Sequence, residues 1–318
     1  MFNYLGQTNL KTGEVMSVAR IDGPSPEWRP RLLSFLEHKG PSWRTQIEMA
    51  LTLPLDDLGA HFYLGLLPGR TGDSPVCHIM VSDYHGVALL GHVYTQPEHR
   101  QKGAIKALMD LVMKDCKVRG VDLITLGTGF DSPPFHIYKG FGFEPATPGD
   151  GSMIYPASLA QSGIFLPLLS EERAGVRFPT VRALRWHDWP AICLLSILPV
   201  ASGEVDPRSV LMDVKPRGLA EGAFIDFQLA RHNDANIDGA VLVTDNDIAV
   251  GWSTVAPVEI GGTVQWVVDV YTAPNFVDLY DALLSALRLP DRPVVAYVNG
   301  DGPRAAALRR ADIPIVRT

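Results

Sequence analysis

Residues 97–106 read Pro97-Glu98-His99-Arg100-Gln101-Lys102-Gly103-Ala104-Ile105-Lys106. Three cations, Arg100, Lys102 and Lys106, surround one glycine. The apolar spacing of Ile105, Leu108, Met109 and Val112 predicts a helix opening near Gln101, which puts those cations in its first turn. That turn is the positive end of the helix dipole, where acids are favoured by about 0.3–1 kcal/mol. Cations there suit an anion held by backbone N–H groups, most simply a phosphate, and glycine lets the backbone come close to it. A solvated basic turn is the other reading of the same residues.

The elements that must position this turn occur twice. Val93-Tyr94-Thr95-Gln96-Pro97 returns as Val270-Tyr271-Thr272-Ala273-Pro274, 270 − 93 = 177 residues later. Each copy ends a β-type run, Val87–Thr95 or Val264–Thr272, and each precedes a helical pattern, the second marked by Leu279, Leu283, Leu284 and Leu287. A further strand follows in each, Asp122–Leu126 or Pro293–Val298, and then a short helix. Upstream, Glu14–Ile21 and Thr180–Leu184 read as strands leading into Trp- and Pro-marked helix starts. This is the pattern of a tandem α/β repeat. The second helix opens Asn275-Phe276-Val277-Asp278, where Asn275 can cap and Asp278 satisfies the dipole, so this copy is not expected to hold an anion.

The chain has 318 residues, 46% hydrophobic and 20% charged, and its charge is 28 − 35 = −7. Those fractions exclude a largely disordered or fibrous chain, and the acidic balance argues against gripping a nucleic-acid backbone. Cys77, Cys116 and Cys193 are too few and scattered for a disulfide framework or zinc cluster, so no metal is expected and a reduced, cytoplasmic setting fits. Met1–Lys11 lacks a secretory pattern, and Ser196 and Pro199 interrupt the apolar run Ala191–Val200, so no membrane span is expected. The expected division is 1–160, a connector at 161–179, and 180–318.

Pro97-x-x-Arg100-x-x-Gly103, between a strand and a helix, resembles the cofactor motif of GNAT acyltransferases, and Tyr138-Lys139-Gly140-Phe141-Gly142-Phe143 resembles that family's second landmark. The stretch from Met16 to Tyr155 follows the GNAT order of elements, and Arg182–Val316 follows it more loosely. The resemblance implies a mixed α+β sheet in each of two tandem GNAT-like domains, the second degenerate at the cofactor loop. It implies that the first domain uses acetyl-coenzyme A as co-substrate to acetylate an amine, expected to be that of a small molecule. Backbone amides of Val93, Tyr94 and Thr95 would hold the pantetheine arm. Arg100, Gln101, Lys102, Gly103, Ala104, Ile105 and Lys106 would meet the phosphates, and Tyr138 would be the general acid.

Two features depart from the family. Ile105 stands where glycine or alanine is usual and is expected to narrow the backbone's approach to the phosphate. Asp131 and Pro134 stand where asparagine and alanine are frequent, which makes the loop Gly127–Pro134 idiosyncratic. The general base is not marked by a carboxylate: Leu89 and Gly91 occupy the strand positions where one is often found. His92 is the candidate, although strand alternation would turn it to the face opposite Leu89 and Gly91. His78, Asp83, Tyr84 and His85 could act through a water.

A non-catalytic ligand sensor and an acyltransferase using a longer acyl chain are the alternative readings. No nucleic-acid or membrane partner is expected, and the chain reads as a monomer or homodimer. Trp186 and Trp189 read as a strand end and helix start, Asp245-Asn246-Asp247 as a hairpin turn, and Cys116 as core.

Overall fold

The computed structural model describes residues 1–69, 72–156, 179–197, 219–298 and 300–317. The chain divides into two compact units, Met1–Ala157 and Ser158–Thr318. The expected connector lies outside the described residues apart from Pro179.

In the first unit, β1 (Phe2–Asn9), β2 (Val15–Asp22), β3 (Gly59–Gly69), β4 (Gly72–Tyr84) and β5 (Val87–Thr95) are successive antiparallel neighbours. β6 (Leu123–Gly127) runs parallel to β5, and β8 (Ser152–Pro156) and β7 (Glu144–Pro145) complete the eight-stranded mixed sheet. On one face lies α3 (Ala104–Val118), whose Leu108, Met109, Val112 and Cys116 recur at helical spacing and pack on Cys77, Ile79, Val81, Ala88 and Leu90. Each larger apolar side chain buried there contributes about 1.5–3 kcal/mol. α1 (Arg29–Phe35), α2 (Pro41–Thr52) and α4 (Pro133–Gly140) complete the helices described in this unit.

The C-terminal end of α3 is tied to the sheet by a closed ring of charges. Arg20 Nε meets Asp22 at 2.7 Å, and Asp22 meets His61 Nδ1 at 2.5 Å. His61 Nε2 is 3.0 Å from Asp83, and Asp83 is 2.6 Å from Arg119 Nη1. Arg119 Nε reaches Asp115 at 3.2 Å, and Asp115 returns to Arg20 Nη1 at 2.7 Å. Tyr63 donates its hydroxyl to Asp115 at 2.6 Å. Both His61 nitrogens face carboxylates, so both donate and the ring is cationic.

The second unit has a six-stranded sheet in the order β14-β13-β12-β11-β10-β9. Its strands are β9 (Thr180–Ala183), β10 (Asp238–Val243), β11 (Ala249–Ile260), β12 (Thr263–Thr272), β13 (Val294–Val298) and β14 (Ile315–Arg317). β9 to β12 pair antiparallel, and β12–β13 and β13–β14 pair parallel. The described helices are α5 (Trp189–Ile197), α6 (Glu221–Asn233), α7 (Tyr280–Ser285) and α8 (Pro303–Arg310). Trp189 is buried against Phe224, Cys116 and the other cysteines are buried and unpaired, and Asp245–Asp247 lies in the β10–β11 turn. Among the described residues no helix is long and apolar enough to cross a membrane.

The ring sets a pH optimum for stability. Burial opposes charge on His61, but its bonds to Asp22 and Asp83 hold its pKa above the ordinary value of about 6.5. That contribution is complete below about pH 6.5 and is lost as pH rises through the folded value. Burial likewise opposes Asp22, yet His61 and Arg20 bring it down to about 2. Its contribution is complete above about pH 4 and is lost as pH falls towards 2. Urea midpoints should therefore be highest between about pH 4 and 6.5, and His61→Gln should lower them there and flatten the decline at higher pH. An unchanged decline in that variant would assign it to another group.

Candidate active site

The basic turn is built differently from a simple helix start. Pro97–His99 form a single 3-10 turn, Arg100 is extended, and Gln101 takes a left-handed φ of 62°. Gly103 follows at φ 88°, and α3 begins only at Ala104, three residues later than Gln101. The Ala107 N–H makes the first helical bond, to the Gly103 carbonyl at 3.0 Å. The N–H groups of Ala104, Ile105 and Lys106 precede it and have no capping side chain, an arrangement that suits an anion. The Lys11 N–H anchors the loop by bonding the Lys102 carbonyl at 3.0 Å. Lys102 Nζ stands 3.8 Å from Glu14, and Arg100 Nε donates to the Thr95 carbonyl at 3.1 Å. Lys106 is exposed. Ile105 is partly buried and packs against the core below α3.

Beside the turn, two strands part. β5 pairs with β6 only from Val87 to Leu89, opposite Leu123 to Thr125. From Leu90 to Thr95 its edge has no β6 partner, which leaves a wedge ending at the basic turn. On its other edge β5 carries a bulge: Met80 opposes Gly91 and His78 opposes Tyr94, so β5 has one residue more than β4 between them. His92 lies in the bulge at φ 51°.

The bulge shifts the phase of the strand and corrects the expectation for His92. Ala88 and Leu90 face α3, so alternation puts Leu89 and Gly91 on the other face. His92 joins them there, with its Nε2 3.2 Å from Gln46 Oε1 and its ring edge-on to Trp43 at 5.0 Å, both on α2. Val93 turns to the α3 core, and Tyr94 returns to the face of His92, against His38 at 4.0 Å and Phe35 at 5.3 Å.

His78 is wholly buried beneath the bulge, and its Nδ1 lies 2.9 Å from the His92 carbonyl. A carbonyl only accepts, so Nδ1 carries the hydrogen. Burial brings His78 down to about 4, with a smaller push from Lys39, so its ring is neutral and Nε2 keeps a lone pair. That atom and Gln46 Nε2 are buried without a partner among the described residues. Burial also carries His92 well below its ordinary value, helped by Lys39, His78 and His38. Because the peptide plane opposes its C=O to the next N–H, a held His92 carbonyl fixes the direction of the Val93 N–H.

The remaining sequence candidates fall elsewhere. Tyr138, on α4, is 6% exposed with its ring 6.0 Å from Phe143. Asp83 belongs to the charge ring on the α3 face, and Tyr84 and His85 lie at the opposite end of the β4–β5 hairpin from His92. Sequence reasoning did not mark Gln46 or Trp43, because a lone polar residue and a lone aromatic on a short helix carry no local signal.

The second unit closes the corresponding wedge with its own chain. β12 and β13 pair at Trp266–Val267 with Val294–Val295, and beyond that point Arg304 from α8 enters between them. It donates to the Val270 carbonyl at 2.9 Å, the Tyr297 carbonyl at 2.8 Å and Asp269 Oδ1 at 2.5 Å, and is 2% exposed. β11 and β12 pair without a bulge. The expected cap at Asn275 does not form: Pro274–Leu279 is a 3-10 segment begun by Ala273, and α7 has six residues.

A family model described as an acetyltransferase (GNAT) domain matches residues 83–146, which include both the basic turn and the Tyr138–Phe143 segment. No curated protein matches the chain. Among solved structures, a GNAT-family acetyltransferase from Staphylococcus aureus Mu50 is 17% identical over 44% of this chain and 99% of that one, with a TM-score of 0.35. PaiA N-acetyltransferase from Thermoplasma acidophilum, in complex with coenzyme A, is 17% identical over 44% and 99%, with a TM-score of 0.34. A protein of unknown function from Enterococcus faecalis V583, described as a probable N-acyltransferase, is 15% identical over 81% of this chain and 59% of that one, at 0.35.

The bond from His78 to the bulge is testable without a ligand. His78→Leu leaves the His92 carbonyl without its buried donor and should cost about 1–3 kcal/mol in urea unfolding. The Val93 amide resonance should move with it. His78→Asn, whose amide can donate from nearly the same place, should restore both in large part. A Val93 resonance untouched by His78→Leu would mean that the bulge is held by other contacts.

Proposed function

We propose, from the match of residues 83–146 to a GNAT acetyltransferase domain model, that the first unit binds acetyl-coenzyme A and acetylates the amine of a small molecule by direct transfer. One observation carries the reading: an open amide turn at Ala104–Lys106 lies at the end of a strand edge that β6 has left. The residues fit a pyrophosphate. Gly103 holds a φ of 88° that side chains rarely adopt, so the turn depends on glycine there. Acetyl-coenzyme A would bring an activated acyl group.

The chain's own residues would then divide the work. Amides of Gly103–Lys106 bind the phosphates with Lys102 and Lys106 beside them. The edge of Val93, Tyr94 and Thr95 orients the pantetheine arm, and the Val93 N–H, fixed through His78, polarises the thioester carbonyl. Tyr138 gives its proton to the departing thiolate. The acceptor enters from the face of His38, Trp43, His92 and Tyr94, where His92 is neutral and able to accept a proton from the amine. The same proposal takes the second unit as a degenerate GNAT-like copy, with domains at 1–160 and 180–318, in a cytoplasmic monomer or homodimer. The depressed basicity of His92 and His78 favours a second reading, a ligand-binding protein without turnover.

Calorimetry with acetyl-coenzyme A should give one site per chain. Gly103→Val should weaken it about 10–100-fold by removing charge-assisted hydrogen bonds. Two sites would show that Arg304 does not close the second wedge, and no binding would remove the proposal. Tyr138→Phe should bind as the parent does and lose about 10²–10⁴ in turnover; full turnover would give the proton transfer to another group.

A further inference from the structure

The sheet of the second unit has one face whose polar groups the fold leaves unmatched. Ser253 on β11 donates to the Leu283 carbonyl of α7 at 2.8 Å, so Trp252 and Thr254 point the other way. Their directly paired residues on β12, Tyr271 and Asp269, share that face. Phe227 of α6 covers it, because a Cβ on Gly239, the β10 residue opposite Thr254, would stand 3.0 Å from its ring.

In this layer Trp252 Nε1, Thr254 Oγ1, Asp269 Oδ2 and Tyr271 Oη are all buried, at 2% exposure or less, and none has a hydrogen-bond partner among the described residues. The amide nitrogen of Gln228, on α6, is in the same state. The unpartnered Thr272 hydroxyl belongs to the opposite face and is no part of the group. Native domains carry few such atoms, and each asks for an occupant.

The donor and acceptor pattern describes that occupant. The Trp252 indole only donates, and Asp269 Oδ2 only accepts, since Oδ1 is held by Arg304. Burial pushes the Tyr271 phenol up and keeps its proton, so both hydroxyls can donate or accept. Arg304 answers the charge of Asp269, so no further ion is required. The Trp252–Tyr271 pair and the Thr254–Asp269 pair are two residues apart, about 7 Å along the strands, so the four groups are spread along the hairpin.

We propose that this layer is a binding site for a small neutral polyol, whose hydroxyls on successive carbons donate and accept along the hairpin. The proposal stands apart from the cofactor reading of the first unit. The place is nevertheless related: Asp269 and Tyr271 lie 177 residues after His92 and Tyr94, and Trp252 opposes Tyr271 as His78 opposes Tyr94.

The test follows the six tryptophan indole N–H resonances of the full chain, with Trp252→Phe assigning one of them. Glycerol, erythritol and myo-inositol are each titrated. At least one should shift the Trp252 indole saturably, with affinity about fivefold or more weaker in Thr254→Val and in Tyr271→Phe, each of which removes one hydrogen bond and keeps the shape. Thermal scans check that both variants fold, and the parent titration stands if either does not. No saturable shift with any of the three polyols overturns the proposal and leaves ordered waters in the layer. Equal affinity in both folded variants overturns it too, by placing the binding elsewhere.

Discussion

A strand that parts from its neighbour in mid-sheet leaves backbone N–H and C=O groups that must be matched from another source. This constraint organises both units. β5 leaves β6 after Leu89, and β12 leaves β13 after Val267. In the second unit the guanidinium of Arg304 satisfies a carbonyl on each strand and the carboxylate of Asp269 on β12. In the first unit the same opening runs into the left-handed turn at Gln101–Gly103 and the open amides of α3. One architecture thus yields a sealed joint in one unit and an opening in the other, according to whether the chain supplies the missing partner.

The first unit fixes the two ends of α3 differently. At the N-terminus of α3 the geometry rests on backbone conformation, Gly103 above all, and on the bond from Lys11 to the Lys102 carbonyl. At the C-terminus Arg20, Asp22, His61, Asp83, Arg119 and Asp115 bind the helix to three strands. The half-buried setting of that ring makes its ion pairs stronger than exposed ones and dependent on every member being present. A helix anchored in this way can present uncapped N–H groups at its other end without fraying.

Much of this was legible in the residues. The strand limits Val87–Thr95 and the apolar stripe of α3 follow from periodicity, and the structure keeps them; the 177-residue echo is matched by the presence of two sheets. The turn at Gly103 was legible as a glycine among cations, but its length was not: the left-handed Gln101 carries no residue signature, so the helix starts at Ala104. The bulge was hidden for the same reason, since His92 takes a positive φ without being glycine. Its consequence, the turning of His92 towards Gln46 and Trp43, needs the partner strand and could not come from alternation alone. Arg304 was equally silent, because a cation near a helix start reads as solvent-exposed until the strand gap it fills is known.

The difference between the two wedges reaches beyond recognition into how the chain persists in a cell. A joint completed by Arg304 is intramolecular and has the same strength at any concentration of small molecules. An opening completed from outside is governed by mass action: each tenfold rise of a saturating ligand adds about 1.4 kcal/mol to the folded state. The first unit's resistance to unfolding and proteolysis would therefore rise and fall with the supply of whatever fills its cleft, while the second unit's wedge is indifferent to that supply. The stability of the open wedge would then follow the supply of its ligand, and the joint at Arg304 would not.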